Sequence, residues 1–568
     1  MMNPDFPSPK LNFQPTQRPL AKTCHVCGGN KIYYLFSTCD CRVIRCQDCG
    51  LVFFNPQPSD AELARIYNAN YFLGSENSAS RQALREIKAA TAGLYLSEIR
   101  RYHGTATGRL LEIGCGDGDF LMQAESAGWQ VTGVDYAAAA CATAQGRLKN
   151  GEVLHGELAG LKLPSDQYDL CVIADVLEHV RSPLEFLREI HRVLKPGGTL
   201  FVATPSLDSW SARFLRQKWM EFKAEHLTYF DRQTLQTALF RSGFREVVVQ
   251  PGWKILTFDY IRKHFERVRV PLVTPVLNLA ARVLPRRLQM RQHRIVASGI
   301  MAFARKAPVR EKPVLSVIVP AYNEVATFET LLQSLQHKEL PGLQLEIVVV
   351  ESNSTDGTRE AVRKYQNTPG VTVIFEDRPQ GKGHAVRAGL QAATGDYVLI
   401  QDADLEYDLE DYDALLEQLL SGRGAFVLGS RHGGRNVLKM RQFTGQHFLS
   451  LFVNCGHWTF TTLVNVLFRQ RLRDPFTMFK VFRRDCLTGL EFQCNRFDFD
   501  YELLVKLVRK GYHPIELPVN YRSRSFQEGK KVRMIRDPLS WLKVLIWLRW
   551  IKIDPLSVVE QSRRRVQP

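Results

Sequence analysis

Short apolar runs separated by amphipathic stretches recur along most of the chain, and several of them end abruptly in acids or glycines. Tyr397 to Ile400 stops at Asp402-Ala403-Asp404, Leu110 to Ile113 at Gly114-Cys-Gly116-Asp-Gly118, and Gln130 to Val134 at Asp135. Leu315 to Val319 gives way to Pro320-Ala-Tyr322-Asn-Glu324, and Gln344 to Val350 to Glu351-Ser-Asn-Ser-Thr-Asp356-Gly357. Runs of this kind read as buried strands of open α/β sheets, which place their ligands at the carboxyl ends of the strands. The pattern predicts α/β domains over 106–306 and 314–535, joined by a short polar linker, 307–313, that carries Pro308 and Pro313.

A chain of 568 residues exceeds what one core usually holds, which agrees with that division. The net charge of +17 suits anionic nucleotides, lipid phosphate or a membrane surface. No nucleic-acid recognition module accompanies the charge, so nucleic acid is not an expected partner. The first twenty residues carry five prolines and no apolar block, and read as a loose tail without a signal peptide. A cytoplasmic protein, peripheral on the inner face of a membrane, is the expectation. His447 to Phe468 has no formal charge, but its Asn, Thr and His content argues against a spanning helix and for a long helix lining an acceptor groove. Within the tail 536–568, Trp541 to Lys552 is rich in tryptophan and too short for the about 20 residues that crossing requires. Interfacial anchoring through tryptophans and basic residues is expected there, with docking on protein as the alternative.

Of the twelve cysteines, six lie between Cys24 and Cys49. Cys24-His-Val-Cys27 and Cys46-Gln-Asp-Cys49, each followed by glycine, are two knuckles able to hold Zn²⁺ at about 2.3 Å. The set leaves no open coordination position, so a structural zinc ribbon is expected over 21–55, with redox thiols as the alternative. Helices are expected over 56–105, where the aromatic cluster Tyr67 to Phe72 reads as packing or as a lid.

The glycines after Ile113 allow close approach of a nucleoside, and Asp135 is placed to accept from both ribose hydroxyls; a dinucleotide site is the competitor. The loop follows Glu112 directly, and a third run, Tyr168 to Asp175, continues into Val-Leu-Glu-His179 and later Val193-Leu-Lys-Pro-Gly-Gly198. This resembles class I S-adenosylmethionine (SAM) dependent methyltransferases. With the cysteine module and Glu225-His226-Leu227, the resemblance narrows to zinc-containing sugar methyltransferases. It implies SAM binding by Glu112, Gly114, Gly116, Gly118, Asp135 and Asp175. It also implies proton removal by Glu225 and His226, with His179 and Tyr71 as neighbours; a structural histidine is the bland reading. Residues 255–294 interrupt this domain between a strand at 246–250 and a final strand at 295–304, and read as basic apolar helices broken by Pro271, Pro275 and Pro285 that cap the sugar site or touch a membrane surface, with plain packing helices as the alternative.

In the second half two carboxylates at an exposed strand end repel unless a cation joins them, and Mg²⁺ or Mn²⁺ suits oxygen ligands and diphosphate; an acidic turn is the alternative. Pro-x-Tyr-Asn-Glu, Glu351 with Ser-x-x-Asp-Gly, Gly381-Lys382-Gly383, Asp402-Ala-Asp404 and Gly429-Ser-Arg431 occur in this order. The order resembles family 2 glycosyltransferases of the GT-A fold, most of all dolichyl- or polyprenyl-phosphate mannose and glucose synthases. The resemblance assigns Pro320, Tyr322, Glu324 and Glu351 to base and ribose, and Asp402, Asp404 and Glu406 to metal and diphosphate. Lys382 and Ala403 join the donor site, and Arg431, Arg524 and Lys530 are anion contacts. Two departures stand out. Glu351-Ser-Asn-Ser replaces the usual Asp-Asp-Gly-Ser, which leaves the nucleotide open, and Glu406 replaces a common Gln. Asp498-Phe-Asp500-Tyr-Glu502 lies where relatives keep an acid facing the acceptor, so Asp500 and Glu502 are candidate bases.

The expected protein is thus an α/β multidomain enzyme: zinc ribbon, Rossmann-like SAM methyltransferase domain and GT-A domain. It would methylate a sugar or glycan, and transfer a sugar from a nucleotide-sugar donor to polyprenyl phosphate. A glycan acceptor, with the methyltransferase half a noncatalytic scaffold, is the alternative.

Overall fold

The computed structural model describes residues 20–66, 78–105, 107–268, 270, 273–307, 310–431, 447–522 and 536–553. The chain divides into two compact units, within Met1–Pro308 and Val309–Val558.

The first unit opens with a small antiparallel sheet of Ile32–Thr38, Cys41–Cys46 and Val52–Phe54, extended by Thr228–Tyr229 from far along the chain. The alternation in Cys41–Cys46 turns Cys41 and Val43 into a core with Val52, Phe54, Trp219 and Tyr229. The larger sheet has seven strands in the order Phe244–Thr257, Gln292–Lys306, Leu194–Pro205, Tyr168–Ala174, Gly108–Ile113, Trp129–Asp135 and Glu152–His155. The last five are parallel and the first two antiparallel, with helices such as Asp119–Ser126 and Pro183–Val193 between strands. Helices Asp60–Ile66 and Ser78–His103 precede this sheet; Tyr67 to Phe72, and Tyr71 with them, lie outside the described residues.

The interruption in this domain is smaller than the sequence suggests. The edge strand Phe244–Thr257 and its neighbour Gln292–Lys306 pair along almost their whole length, so 255–257 and 292–294 belong to the sheet. Helices Phe258–Val268, Val273–Val283 and Arg286–Gln289 fill the excursion between them. Pro275 does not break a helix: it sits in the first turn of Val273–Val283, where the missing N–H would have no intrahelical partner.

The second unit is built on another seven-stranded sheet, in the order Val371–Phe375, Gln344–Glu351, Val314–Ala321, Tyr397–Ile400, Lys480–Arg483, Phe426–Ser430 and Ile515–Pro518. The first four are parallel, and Lys480–Arg483 runs antiparallel to both its neighbours. Leu315, Val317, Val319, Val349 and Leu399 are buried in the core against Phe328, Leu331 and Leu335. The linked expectations of two α/β sheets with strand ends carrying polar residues thus hold in both units.

A close approach brings two distant segments to the edge of this sheet. At Gly381, with φ 107°, an added Cβ would lie 2.5 Å from the Asn495 carbonyl oxygen. At Gly383 it would lie 2.6 Å from Phe499 Cβ and 2.8 Å from the Arg496 carbonyl oxygen. The helix Lys382–Ala392 therefore rests its first turn directly on the start of Phe499–Lys510, which sets Lys382 beside Asp500. Gly383→Ala should destabilise the second unit by about 1–3 kcal/mol. Gly456→Ala, inside the helix His447–Phe468 with nothing within 4 Å of its added Cβ, is the control and should be neutral or stabilising. Urea unfolding of the two variants compares them; equal midpoints would refute the close packing.

Candidate active sites

In the second unit the sheet ends its first four strands in loops that lace together. The Asn323 N–H donates to Ser354 Oγ at 2.9 Å and the Glu324 N–H to Thr358 Oγ1 at 2.8 Å, while Asn323 Oδ1 accepts from the Thr355 N–H at 2.9 Å. Thr327 Oγ1 donates to the Ala403 carbonyl at 2.6 Å, tying the acid-bearing loop to the same frame. Pro320, Tyr322 and Glu324 line this edge half-buried.

Lys382 Nζ lies 2.5 Å from Asp402 Oδ1. Burial opposes its charge, but Asp402, Asp500 and Asp404 outweigh that and hold Lys382 above the ordinary lysine value. Behind it Lys480, fully buried, lies 3.5 Å from Asp500 Oδ1. Burial pushes Asp500 up and Lys480 down, so each member of that pair is driven toward neutrality. Three carboxylates thus meet a lysine that they keep charged and one that burial drives toward neutrality, leaving surplus negative charge on hard oxygen donors. That donor set fits Mg²⁺ or Mn²⁺.

Four expected site residues are committed elsewhere. Glu406 does not gather with Asp402 and Asp404 as a three-carboxylate cluster. It accepts from Tyr521 Oη at 2.8 Å, and its N–H donates to Asp404 Oδ1. Glu351, fully buried, accepts from the Ser354 N–H at 2.6 Å and from Arg359 Nη1 at 2.7 Å, so it braces its loop instead of facing a base. Arg431 forks onto Asp474 at 2.8 and 2.7 Å, with His457 3.7 Å away, and is an internal pair rather than an exposed anion contact. Glu502 is fully buried, accepting from the Gln493 and Cys494 N–H groups at 2.8–3.0 Å and from Lys506 Nζ at 2.6 Å, so it anchors a loop. Arg524 and Lys530 lie outside the described residues.

The helix His447–Phe468 mixes polar and apolar residues on both its buried and its exposed face. Asn454, His457 and Thr461 are buried, whereas Leu451, Trp458 and Val466 are 49%, 57% and 71% exposed. Its neighbour, the helix Arg536–Trp550, packs Trp541 on Phe460, Phe476 and Tyr501. Trp547 lies near Lys506. Two of the three tryptophans expected at an interface thus face protein. The outward stripe is instead Leu539, Leu542, Ile546 and Trp550, at helical spacing. Among the described residues no helix is long and apolar enough to cross a membrane.

In the first unit the glycine loop has φ 75°, 50° and 78° at Gly114, Gly116 and Gly118. A Cβ would strike Val176 from Gly114 and Ala144 from Gly118, but would meet nothing from Gly116, so the loop has open space on one side. Asp135 braces that loop, accepting from the Gly116 N–H at 2.8 Å and the Ala137 N–H at 2.9 Å. Glu112 is buried with Oε2 unpartnered, and burial raises it well above the usual carboxylate value. Open space beside Gly116 and an orphaned carboxylate oxygen fit a ligand rich in donors, as SAM is.

Asp175, with φ 54°, pairs with Lys254 at 2.8 Å. Nearby, the His179 Nδ1–H donates to the Glu225 carbonyl at 3.0 Å, and the Leu227 N–H donates to the Glu178 carbonyl at 2.8 Å. These bonds set His179 and His226 edge to face, ring centroids 4.7 Å apart, while the Glu225 side chain stays half-buried. Burial lowers His179 to about 4 and His226 well below 6.5, so both are neutral near pH 7. Glu178, which the sequence reading passed over, is pushed up to about 8 by burial and by Asp175, with Oε2 accepting from Thr204 at 2.9 Å and Oε1 unpartnered. Donor atoms of Glu178, His179 and His226 fall within 4.8 Å of one another. His179 Nδ1 is already committed to the Glu225 carbonyl, and burial keeps both rings neutral and raises Glu178, so the group has the makings of an acid–base cluster as well as of a metal centre.

The sulfurs of Cys24, Cys27, Cys46 and Cys49 also fall within 4.8 Å of one another. Cys24–Cys49 and Cys27–Cys46 stand 3.6 and 3.4 Å apart. These separations are far beyond a disulfide and close to the about 3.8 Å edge of a tetrahedron with 2.3 Å metal–sulfur bonds. The donor set fits zinc.

Residues 316–487 match the profile of glycosyl transferase family 2, and residues 82–249 that of a methyltransferase domain. The chain is 30% identical over 249 residues to dolichyl-phosphate beta-glucosyltransferase ALG5A of Trichomonas vaginalis, covering 41% of this chain and 74% of that one. It is 29% identical over 216 residues to dolichol-phosphate mannosyltransferase of Pyrococcus furiosus, covering 38% of this chain and 58% of that one. It is 29% identical over 258 residues to glycosyltransferase AglD of Haloferax volcanii, covering 44% and 39%. The chain therefore spans about three fifths and two fifths, respectively, of the length of the last two.

The ribbon reaches the methyltransferase cleft through one strand. Val52–Phe54 pairs with Thr228–Tyr229, and the Phe54 N–H donates to the Leu227 carbonyl at 3.0 Å, next to His226. Cys46→Ser should lose about one zinc per chain by elemental analysis and lower methyl transfer by about tenfold or more, with sugar transfer kept. Undiminished methyl transfer in the zinc-free variant would separate the ribbon from the cleft.

Proposed function

Since this chain belongs to glycosyl transferase family 2 through residues 316–487 and carries a methyltransferase domain over residues 82–249, we propose that its two activities act on one lipid-linked sugar. The second half would transfer a sugar from a nucleotide donor to polyprenyl phosphate, and the first would methylate a sugar with SAM.

The observation that carries the lipid acceptor is the pair of helices His447–Phe468 and Arg536–Trp550. They keep Asn454, His457 and Thr461 inside, and turn Leu451, Trp458, Leu542, Ile546 and Trp550 outward. Both helices also bury apolar residues, Val464 and Phe468 in one and Leu545 and Leu548 in the other, but the large apolar side chains they leave outside suit a peripheral seat on lipid better than water. Lys543 and Arg549, exposed beside the stripe, favour anionic headgroups.

At the sheet edge Pro320, Tyr322 and Glu324 would receive the nucleoside, and Lys382 the diphosphate. Mg²⁺ or Mn²⁺ on Asp402 and Asp404 would supply positive charge against the leaving diphosphate. Lys382 adds a second, fixed charge at the same place, where electrostatic stabilisation acts most. A lipid phosphate arrives already anionic and needs no base, so Asp500 would orient Lys382 and the acceptor. A sugar hydroxyl would need Asp500 as its base, and its raised pKa suits that role.

In the first half Glu112, Gly114, Gly116, Gly118, Asp135 and Asp175 would form the SAM site, Asp135 through the loop it braces. His226, buried and neutral, would take the proton released as the methyl arrives. Glu178 would stand behind the histidine pair and Glu225 at its mouth.

Three outcomes test this reading. With labelled nucleotide sugar and polyprenyl phosphate, label should move into organic solvent; label confined to water-soluble glycan would replace the lipid acceptor with a sugar. Asp404→Ala should lower that transfer about a thousandfold while SAM binding by calorimetry is unchanged. His226→Gln should lower methyl transfer by about 10²–10⁴-fold. Because burial depresses His226, the wild-type enzyme should stay in its basic form as pH falls through 6.5 and lose activity only below it. A half-loss at 6.5 in the pH–rate profile would point to an exposed histidine instead.

A further inference from the structure

The methyltransferase half carries a surface that its chemistry leaves unused. The helix Val273–Val283 buries none of its residues. Val276, Leu279 and Val283 share one stripe of it and are 64%, 63% and 78% exposed. Past Pro285 the exposed Leu288 and Met290 follow. Apolar residues concentrated on the outside of a helix that packs so little mark a surface made for a partner.

The charge around the stripe says which partner. From Arg267 to Arg310 the sequence has no acidic residue. Arg282, Arg286, Arg287 and Arg291 are exposed, and none has an ion pair among the described residues. Arg294 is different, since it pairs with Glu98 at 3.1 Å and lies over Trp253, so it belongs to the fold. A protein partner of acidic character would suit the arginines but not the aliphatic stripe between them, and nucleic acid offers the stripe nothing. A bilayer with anionic headgroups answers both: aliphatic side chains enter below the headgroups, and guanidinium forks hold the phosphates.

We propose that the excursion 273–291 docks the methyltransferase half onto an anionic lipid surface, through Val276, Leu279 and Val283 with Arg282, Arg286, Arg287 and Arg291. The lipid-acceptor reading rests on helices of the other unit, so either proposal can fail alone. If both hold, methyl transfer also takes place at the membrane surface, where a lipid-linked sugar stays within reach.

The test is sedimentation of the full chain with vesicles of phosphatidylcholine alone, and with about 30% phosphatidylglycerol, at low and high salt. The wild-type protein should prefer the anionic vesicles and lose that preference in high salt. Arg286→Gln with Arg287→Gln should weaken binding to anionic vesicles about thirtyfold, at about fivefold per arginine. Leu279→Ser with Val283→Ser should weaken binding to both vesicle types. Ile546→Ser with Trp550→Ser, in the other unit, should lower overall binding but keep the preference for anionic lipid. SAM binding by calorimetry confirms that each first-unit variant is folded. Unchanged vesicle binding in the double arginine variant overturns the proposal. So does a dimer that the Leu279/Val283 variant converts to monomer, because the stripe would then be covered by a second copy.

Discussion

Charge compensation in a nearly dry space governs the second half of this chain. Asp402, Lys382, Asp500 and Lys480 succeed one another at the end of the central strands, two of the links being ion pairs at 2.5 and 3.5 Å. None could be left alone there, because a buried charge without its partner is strongly destabilising. Their alternation lets the acids stay close to one another without repelling the fold apart. The glycines at 381 and 383 matter for this reason, since only a side-chain-free turn lets the first turn of one helix lie on the start of another and close the chain of charges.

The first half solves a related problem with neutral groups. His179 and His226 are kept uncharged by burial, and Glu178 is raised by burial and by Asp175, so the cluster can accept a proton without first having to lose one. The bonds that set these side chains are backbone bonds between the Glu178–His179 turn and the Glu225–Leu227 segment. The same segment continues into the strand that completes the ribbon sheet. A module that resembles an appendage in sequence is therefore a brace for the loop carrying the candidate base.

Much of this was legible before any coordinates, because it was written in local pattern. Apolar runs ending in glycine or acid gave both sheets and their ligand-bearing edges, and two CxxC knuckles gave the sulfur cluster. What could not be read was the fate of acids and arginines whose partners lie far away. Arg431 meets Asp474, 43 positions on, and Glu502 reaches back to the N–H groups of 493 and 494. In sequence each is indistinguishable from a ligand-binding residue. The tryptophans of 541–550 misled for a similar reason: the indole looks interfacial, yet Trp541 finds three aromatic neighbours that only the fold supplies. Glu178 escaped notice because its neighbour His179 carried the motif, whereas burial is what makes the carboxylate chemically interesting.

Had the tryptophans faced outward, their amphipathic rings alone would have argued for a headgroup-level seat. With two of the three turned inward, the outward faces are mainly aliphatic stripes bordered by arginine and lysine: Leu539, Leu542 and Ile546 with Trp550 in one unit, Val276, Leu279 and Val283 in the other. Aliphatic stripes bury little area each, so neither helix alone would hold a protein of this size firmly. Weak contacts on one chain reinforce one another when both can engage the same surface, because the second contact then forms at high effective concentration. Two modest faces would thus give reversible attachment, which would suit the lipid-linked acceptor proposed above.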